Sequence, residues 1–250
     1  MRRDIDEVLQ NWPFEPSPGE LLVREVRCRD GRSVLQVRVE LGIMQMEVEG
    51  RPDGVKPHGF ASFLDYMRHR AANRAGKGPS WMMKQEHCAE ADREFIQYYH
   101  RRVAWLSLQK YERALIDSDH TLALMDFVQR HGGDEEYSTS HERFRGLVLL
   151  HRAQATAALA LKRNKPEEAI DAIHEGIETL RTHKATLTDS DDDDTPHDQL
   201  VEQLIILEND IRKNFEVAKT LREQLDEAVD QEDYERAARL RDQIKARAQH

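Results

Sequence analysis

Residues Leu221–Gln249 read LREQLDEAVDQEDYERAARLRDQIKARAQ, and their periodicity gives two short helices that meet at an acidic break, Gln231-Glu232-Asp233. Asp233 is placed to cap the second helix, and Glu235 then lies in its positive first turn. Ala237 and Ala238 are expected to face inward with Tyr234 and Ile244, opposed by Leu225 and Ala228 of the first helix. Small residues on such a seam let two backbones run close and antiparallel. Arg241 falls near the centre of the second helix's apolar arc, where a lone charge is costly, so a carboxylate partner is expected for it. Chains below about 40 residues usually need staples or partners to fold. The hairpin must therefore dock on something.

The pattern Leu221, Leu225, Ala228, Asp233-Tyr234-Glu235, Ala237-Ala238, Arg241-Asp242 and Ile244 resembles the UVR motif. That motif is the helical hairpin of the repair proteins UvrB and UvrC, the arginine-kinase activator McsA and the chaperone ClpC, most often with Phe where Tyr234 stands. The resemblance implies a protein-docking element with no chemistry of its own. Its binding residues would be Leu221, Leu225, Ala228, Tyr234, Ala237, Ala238, Arg241, Asp242 and Ile244. The implied partners are UvrB- or UvrA-like, ClpC-like or arginine-kinase-like proteins. The likeness to McsA stops at the hairpin, because the chain has only Cys28 and Cys88 and no zinc-binding cysteine pairs.

Upstream, Pro196 opens a helix with apolar residues at Leu200, Leu204, Leu207, Ile211, Ala218, Leu221, Leu225 and Ala228, spaced alternately four and three. That spacing is a coiled-coil seam, expected to run straight into the hairpin and to offer a route to a homodimer. Asn214 interrupts the seam and is a candidate register pin, although neighbouring Phe215 could take the core position instead. Before it, residues 188–195 read as a solvated acidic linker. The Gly and distal Glu of a calcium-binding EF-hand loop are missing there.

Residues 80–187 read as a helical domain of two successive helix-turn-helix pairs. Thr139-x-x-Glu142 is a capping box for a helix over 140–163, and Pro166 stands in the first turn of the next. Trp105, Leu108, Tyr111 and Ala114, and then Ala153, Ala157, Leu161, Pro166, Ala169 and Ile173, resemble tetratricopeptide repeats. Ala114 and Ala169 lie further apart than the usual repeat of about 34 residues, and an ordinary helical bundle remains the alternative.

Residues 1–79 read as a small α+β domain. A short helix over 3–11 and a proline-rich connector precede three strands. Asp30-Gly31 marks the first hairpin turn, and Leu35, Val37, Val39 and Leu41 alternate with Gln36, Arg38 and Glu40. The amphipathic stretch from Phe60, through Phe63, Leu64 and Met67, is the expected cover for this antiparallel meander. Gly50-Arg51-Pro52-Asp53-Gly54 is expected to be a tight exposed turn, with a binding loop as the alternative. The whole is mainly α: a three-stranded meander with a covering helix, tetratricopeptide-like hairpins, and residues 196–250 as coiled coil and UVR-like hairpin.

With 250 residues, 34% of them charged, and a net charge of −10, the composition favours a helical protein and disfavours capture of phosphates or anionic lipid. The N-terminal residues lack the apolar core of a secretory signal, so a cytoplasmic location is expected. Gly76-Lys77-Gly78 lacks the glycine spacing and the strand of a phosphate-binding loop. His58, His100, His120, His131, His141 and His151 are scattered, and Glu86, His87, Glu90 and Glu94 form no metal-binding spacing. No catalytic residue, metal site or cofactor is expected. The reading is a non-enzymatic adaptor; the alternative is an excision-repair-type factor that touches DNA directly.

Overall fold

The structure, a computed structural model, describes residues 4–74, 81–186 and 196–247. The Gly76-Lys77-Gly78-Pro79 connector and the whole of the acidic 188–195 linker, with the expected boundaries they mark, lie outside the described residues. The chain forms two compact units, Met1–Val148 and Leu149–His250. Helices dominate both, and the one sheet among the described residues lies near the N-terminus.

After the short helix α1 (Asp6–Gln10), strands β1 (Val23–Arg27), β2 (Ser33–Val39) and β3 (Gly42–Glu47) form an antiparallel meander in the order β1-β2-β3. The register sets Val26 opposite Val34 and Leu35 opposite Met46. Gly31 makes the first turn at φ 88°, a conformation only glycine adopts without strain. Leu35, Val37 and Met46 are buried, whereas Val39 and Leu41 are exposed, so the apolar alternation stops short of the strand's end.

Both faces of β2 are covered, since Val34 and Arg38 are buried as well. Arg38 donates to the carbonyls of Trp12 at 2.8 Å and Gly42 at 2.9 Å, and Arg24 stacks on the Trp12 ring at 4.0 Å. These contacts fold the proline-rich N-terminal stretch back onto the sheet.

The covering helix is α3 (Gln85–Ser107), which meets β2. Arg101 donates to the carbonyls of Glu47 and Gly50 and makes a two-pronged pair with Asp117 of α4 (Tyr111–His131), at 2.9 and 2.7 Å. Helix α2 (Phe63–Arg74), expected in that place, instead buries Phe63, Leu64 and Met67 with Trp81, Ala91, Leu124 and Phe127. The reason is a polar one: α3 supplies hydrogen-bond donors to the strand-end carbonyls, and α2 does not.

The Gly50–Gly54 turn is exposed at Gly50, Asp53 and Gly54 but buried at Arg51 and Pro52. Arg51 is buried, paired with Glu90 at 3.0 Å and Asp53 at 3.3 Å. Nearby Glu94 is wholly buried, caps α2 by accepting from the N–H groups of Phe63 and Leu64, and meets His120 Nε2 at 3.0 Å. Removing charge from water is costly, and here each charge has a counter-charge or backbone partner.

Helix α5 (Glu135–Thr139) follows, capped by Asp134 through the Tyr137 N–H. Thr139 does not cap the next helix, because its hydroxyl donates back to the Glu135 carbonyl inside α5. Helix α6 (Arg145–Lys162) therefore starts later than the capping-box pattern suggests, at an arginine tied to Glu142 and Asp126.

In the Leu149–His250 unit, α6 and α7 (Pro166–Thr186) come so close that a Cβ on Gly176 would lie 2.5 Å from that of Ala153. Helix α8 (Pro196–Phe215) lies along α7, burying Leu204 and Ile211. The seam expected to continue from α8 is broken. Glu216 turns into the left-handed region at φ 52°, and residues 217–220 are non-helical, with Thr220 extended, before α9 (Leu221–Asp230) begins. The break has a local cause, because Thr220 and Glu223 form a reciprocal capping box that starts a new helix. Helix α10 (Tyr234–Arg247) ends the described chain.

Candidate functional site

Helices α9 and α10 form the expected hairpin. Glu232 takes a left-handed φ of 58° in the turn, and Asp233 caps α10 by accepting from the Arg236 N–H at 3.0 Å. Ala228, Ala237 and Leu240 are its buried core, with Leu221 and Leu225 packed beside them. Ala238 and Ile244 are half-buried. The alanine-lined join is thus present, and Leu240 is the inward residue that the sequence pattern passed over.

Two expected positions differ. Tyr234 is 68% exposed, because it is the first residue of α10 and lies beyond the stretch that faces α9. Arg241 is exposed and pairs with its neighbour Asp242 at 3.2 Å. The inward stripe of α10 passes through Ala237, Leu240 and Ile244, spaced three and four apart, which puts Arg241 outside it. Asn214 is exposed near the end of α8, whose buried stripe packs on α7.

The hairpin core is small. A fully buried Leu contributes about 1.5–3 kcal/mol, whereas ordering each residue's backbone costs about 1–2 kcal/mol, so this seam cannot hold two helices by itself. It is anchored at its base. Thr220 is wholly buried and donates to Asp171 of α7 at 3.2 Å, and Arg222 lies 3.7 Å from the same carboxylate. Burial pushes the Asp171 pKa up, against the pull of Arg222 and Thr220.

A second anchor centres on Arg212. Its guanidinium binds Glu208 at 2.8 Å, Glu223 at the start of α9, and the Ala218 carbonyl. His174 of α7 completes the cluster 3.0 Å from Glu208. Burial acts against Glu223's charge, but the Thr220 N–H and Arg212 outweigh it and hold the pKa below the usual carboxylate value. His174, Glu208 and Glu223 bring ligand atoms within 4.8 Å of one another, close enough for a metal ion. Arg212 already supplies the cation there. The anchors Asp171, Arg212 and Thr220 were not singled out from the sequence; the Thr220-x-x-Glu223 capping pattern was the signal that could have found one of them.

Beyond its anchors the hairpin remains open. Val229 is 49% exposed near the end of α9 and Tyr234 opens α10, and Asp226, Asp230, Glu232 and Glu235 are exposed as well. At the base, a groove of about 720 Å³ runs between the first turn of α7 and the hairpin, lined by Pro166, Glu168, Asp171, Leu221 and Ile244 among others. This arrangement suits binding: an apolar floor, a charged rim and a rigid helical support. Among the described residues, no helix is long and apolar enough to cross a membrane.

No curated protein and no solved structure matches the chain. Residues 216–247 match the UVR family, described as the UvrB/uvrC motif, so the α9–α10 hairpin is a UVR motif.

Proposed function

We propose that the protein is a non-enzymatic cytoplasmic adaptor that docks a partner protein on the outer face of its UVR hairpin. UVR motifs commonly mediate protein–protein contacts in UvrB/UvrC-type proteins. The observation that carries the reading is the hairpin's incompleteness: Val229 and Tyr234 stand exposed, and Ile244 borders an open groove. The buried stripe of α8 packs on α7, and the docking reading rests on the hairpin's own exposed residues. The close α6–α7 pair offers a second, tetratricopeptide-like surface. Partners of the UvrB or UvrA, ClpC or arginine-kinase type are the ones to test, placing the protein in DNA repair or in protein quality control.

Val229→Asp with Tyr234→Asp tests this without touching the hairpin core. The full-length double variant should keep its melting temperature and lose binding to such a partner. Equal binding by parent and variant would show that the hairpin is not the docking element.

A second reading is direct DNA contact, favoured by the exposed cations Arg239, Arg241 and Lys245 on α10. The net charge of −10 opposes it. DNA binding whose affinity falls steeply with salt, and fails in Arg239→Glu with Lys245→Glu, would establish it.

A further inference from the structure

Helix α2 turns one stripe away from the core in which it buries Phe63, Leu64 and Met67. Tyr66, His69, Arg70 and Asn73 follow one another at intervals of three, one and three residues, which sets them on a single helical face. His69, Arg70 and Asn73 are exposed, and Tyr66 is half-buried. The turn at residues 57–60 adds two more rings. His58 stacks on Tyr66 with centroids 4.0 Å apart and planes inclined at 23°, and Phe60 lies 5.8 Å from Tyr66 and 5.1 Å from His69. His58 is exposed, and it holds a left-handed φ of 51° that costs an L residue energy.

The charge of this surface opposes that of the chain. Residues 56–74 carry four cations, Lys56, Arg68, Arg70 and Arg74, against one carboxylate, Asp65, in a protein of net charge −10. All four cations are exposed. Among the described residues none of them pairs with a carboxylate, whereas Arg32, Arg93, Lys110 and Arg113 of the same unit do. The Arg70 guanidinium lies 5.9 Å over the Tyr66 ring. Burial lowers the pKa of nearby His87, Glu86 pulls it up, and Lys84, Arg70 and His58 push it down, so Arg70 and His58 reach the same neighbourhood.

We propose that the outer face of α2 and the 57–60 turn form a binding surface for single-stranded nucleic acid, whose bases stack on His58 and His69 and whose phosphates meet Arg70, Arg74 and Lys56. Cations set beside exposed rings suit a polymer that brings a phosphate and a flat base at each step. An acidic peptide would use the cations and leave the rings without a partner. A duplex keeps its bases stacked on one another, so an unpaired strand is the form that can give them up. The chain's negative total opposes this little, because exposed charges more than about 8 Å apart are largely screened at physiological salt. The surface lies within the Met1–Val148 unit and does not depend on the hairpin reading.

The test is fluorescence anisotropy of the full chain with labelled oligo(dT) and oligo(U) of about 12 nucleotides, and with a duplex of equal length. Both single strands should bind more tightly than the duplex, and the tighter of the two names the natural class. Log affinity should fall with log salt at a slope of about −2, as for about three phosphates contacted. Arg70→Glu with Arg74→Glu should lower affinity about tenfold or more and flatten that slope. His58→Gly, which suits the left-handed backbone, should weaken binding about fivefold and leave the slope as it was. Arg239→Glu with Lys245→Glu on α10 should change nothing. No binding by the parent, equal binding by α2 variants that keep the parent's circular dichroism and Tm, or loss of binding in the α10 variant would overturn the surface. So would a preference for the duplex, or displacement by polyglutamate as effective as by unlabelled strand.

Discussion

The Met1–Val148 unit and the C-terminal hairpin treat charge in opposite ways. In the first, Arg51, Glu94, Arg101, Arg102 and Asp117 are buried, and their partners are in the same unit: Glu90 for Arg51, Asp117 for Arg101, His120 for Glu94 and Thr121 for Arg102. In the hairpin, Arg241 and Asp242 pair in solvent, and Asp226, Val229, Asp230, Glu232, Tyr234 and Glu235 are exposed. The first pattern is that of a body completed by its own chain. The second is that of a surface awaiting another, and it carries the adaptor reading.

The sharpest way to break the contrast is to remove a buried partner from the first unit. Asp117→Ala leaves the Arg101 guanidinium buried without its carboxylate, and breaking such a pair costs about 3–5 kcal/mol. Chemical denaturation of the full chain should show that loss in its main transition. The matching change in the hairpin is Leu240→Ala, whose expected cost of about 2–3 kcal/mol is set by a small core that can partly close up. Its effect should be local: faster amide exchange and proteolysis over 221–247, with the Met1–Val148 unit unchanged.

A milder probe is pH. Burial holds the pKa of His87, His100, His141 and His197 below their ordinary values. The unfolded chain, with imidazoles titrating near pH 6.5, therefore takes up more protons than the folded one as pH drops. This contribution to stability is present above about pH 6.5 and fades below it. Tm should fall between pH 7.5 and 5.5, and His141→Gln should flatten that slope if the variant keeps its fold.

Much of this was legible in the sequence, for identifiable reasons. Strong short-range signals located the elements: Asp30-Gly31 for the first turn, Asp233 for the α10 cap, and the alanine pair for the hairpin join. The seam from Leu200 to Ala228 misled because its spacing is consistent with one helix. The Thr220–Glu223 capping box and the left-handed Glu216 that divide it are local events which heptad counting overlooks. Tyr234 and Arg241 were placed inward by a pattern one step off the true stripe through Leu240. The buried charges of Arg51 and Glu94 join residues far apart in the chain, so no local spacing announces them.

Amide hydrogen exchange on the intact protein without partners tests the central claim most directly. Residues 221–247 should exchange through frequent local opening, with much lower protection than α3 and α4 over residues 85–131. Protection of the hairpin equal to that of α3 and α4 would mean that it is complete on its own, and would contradict the account.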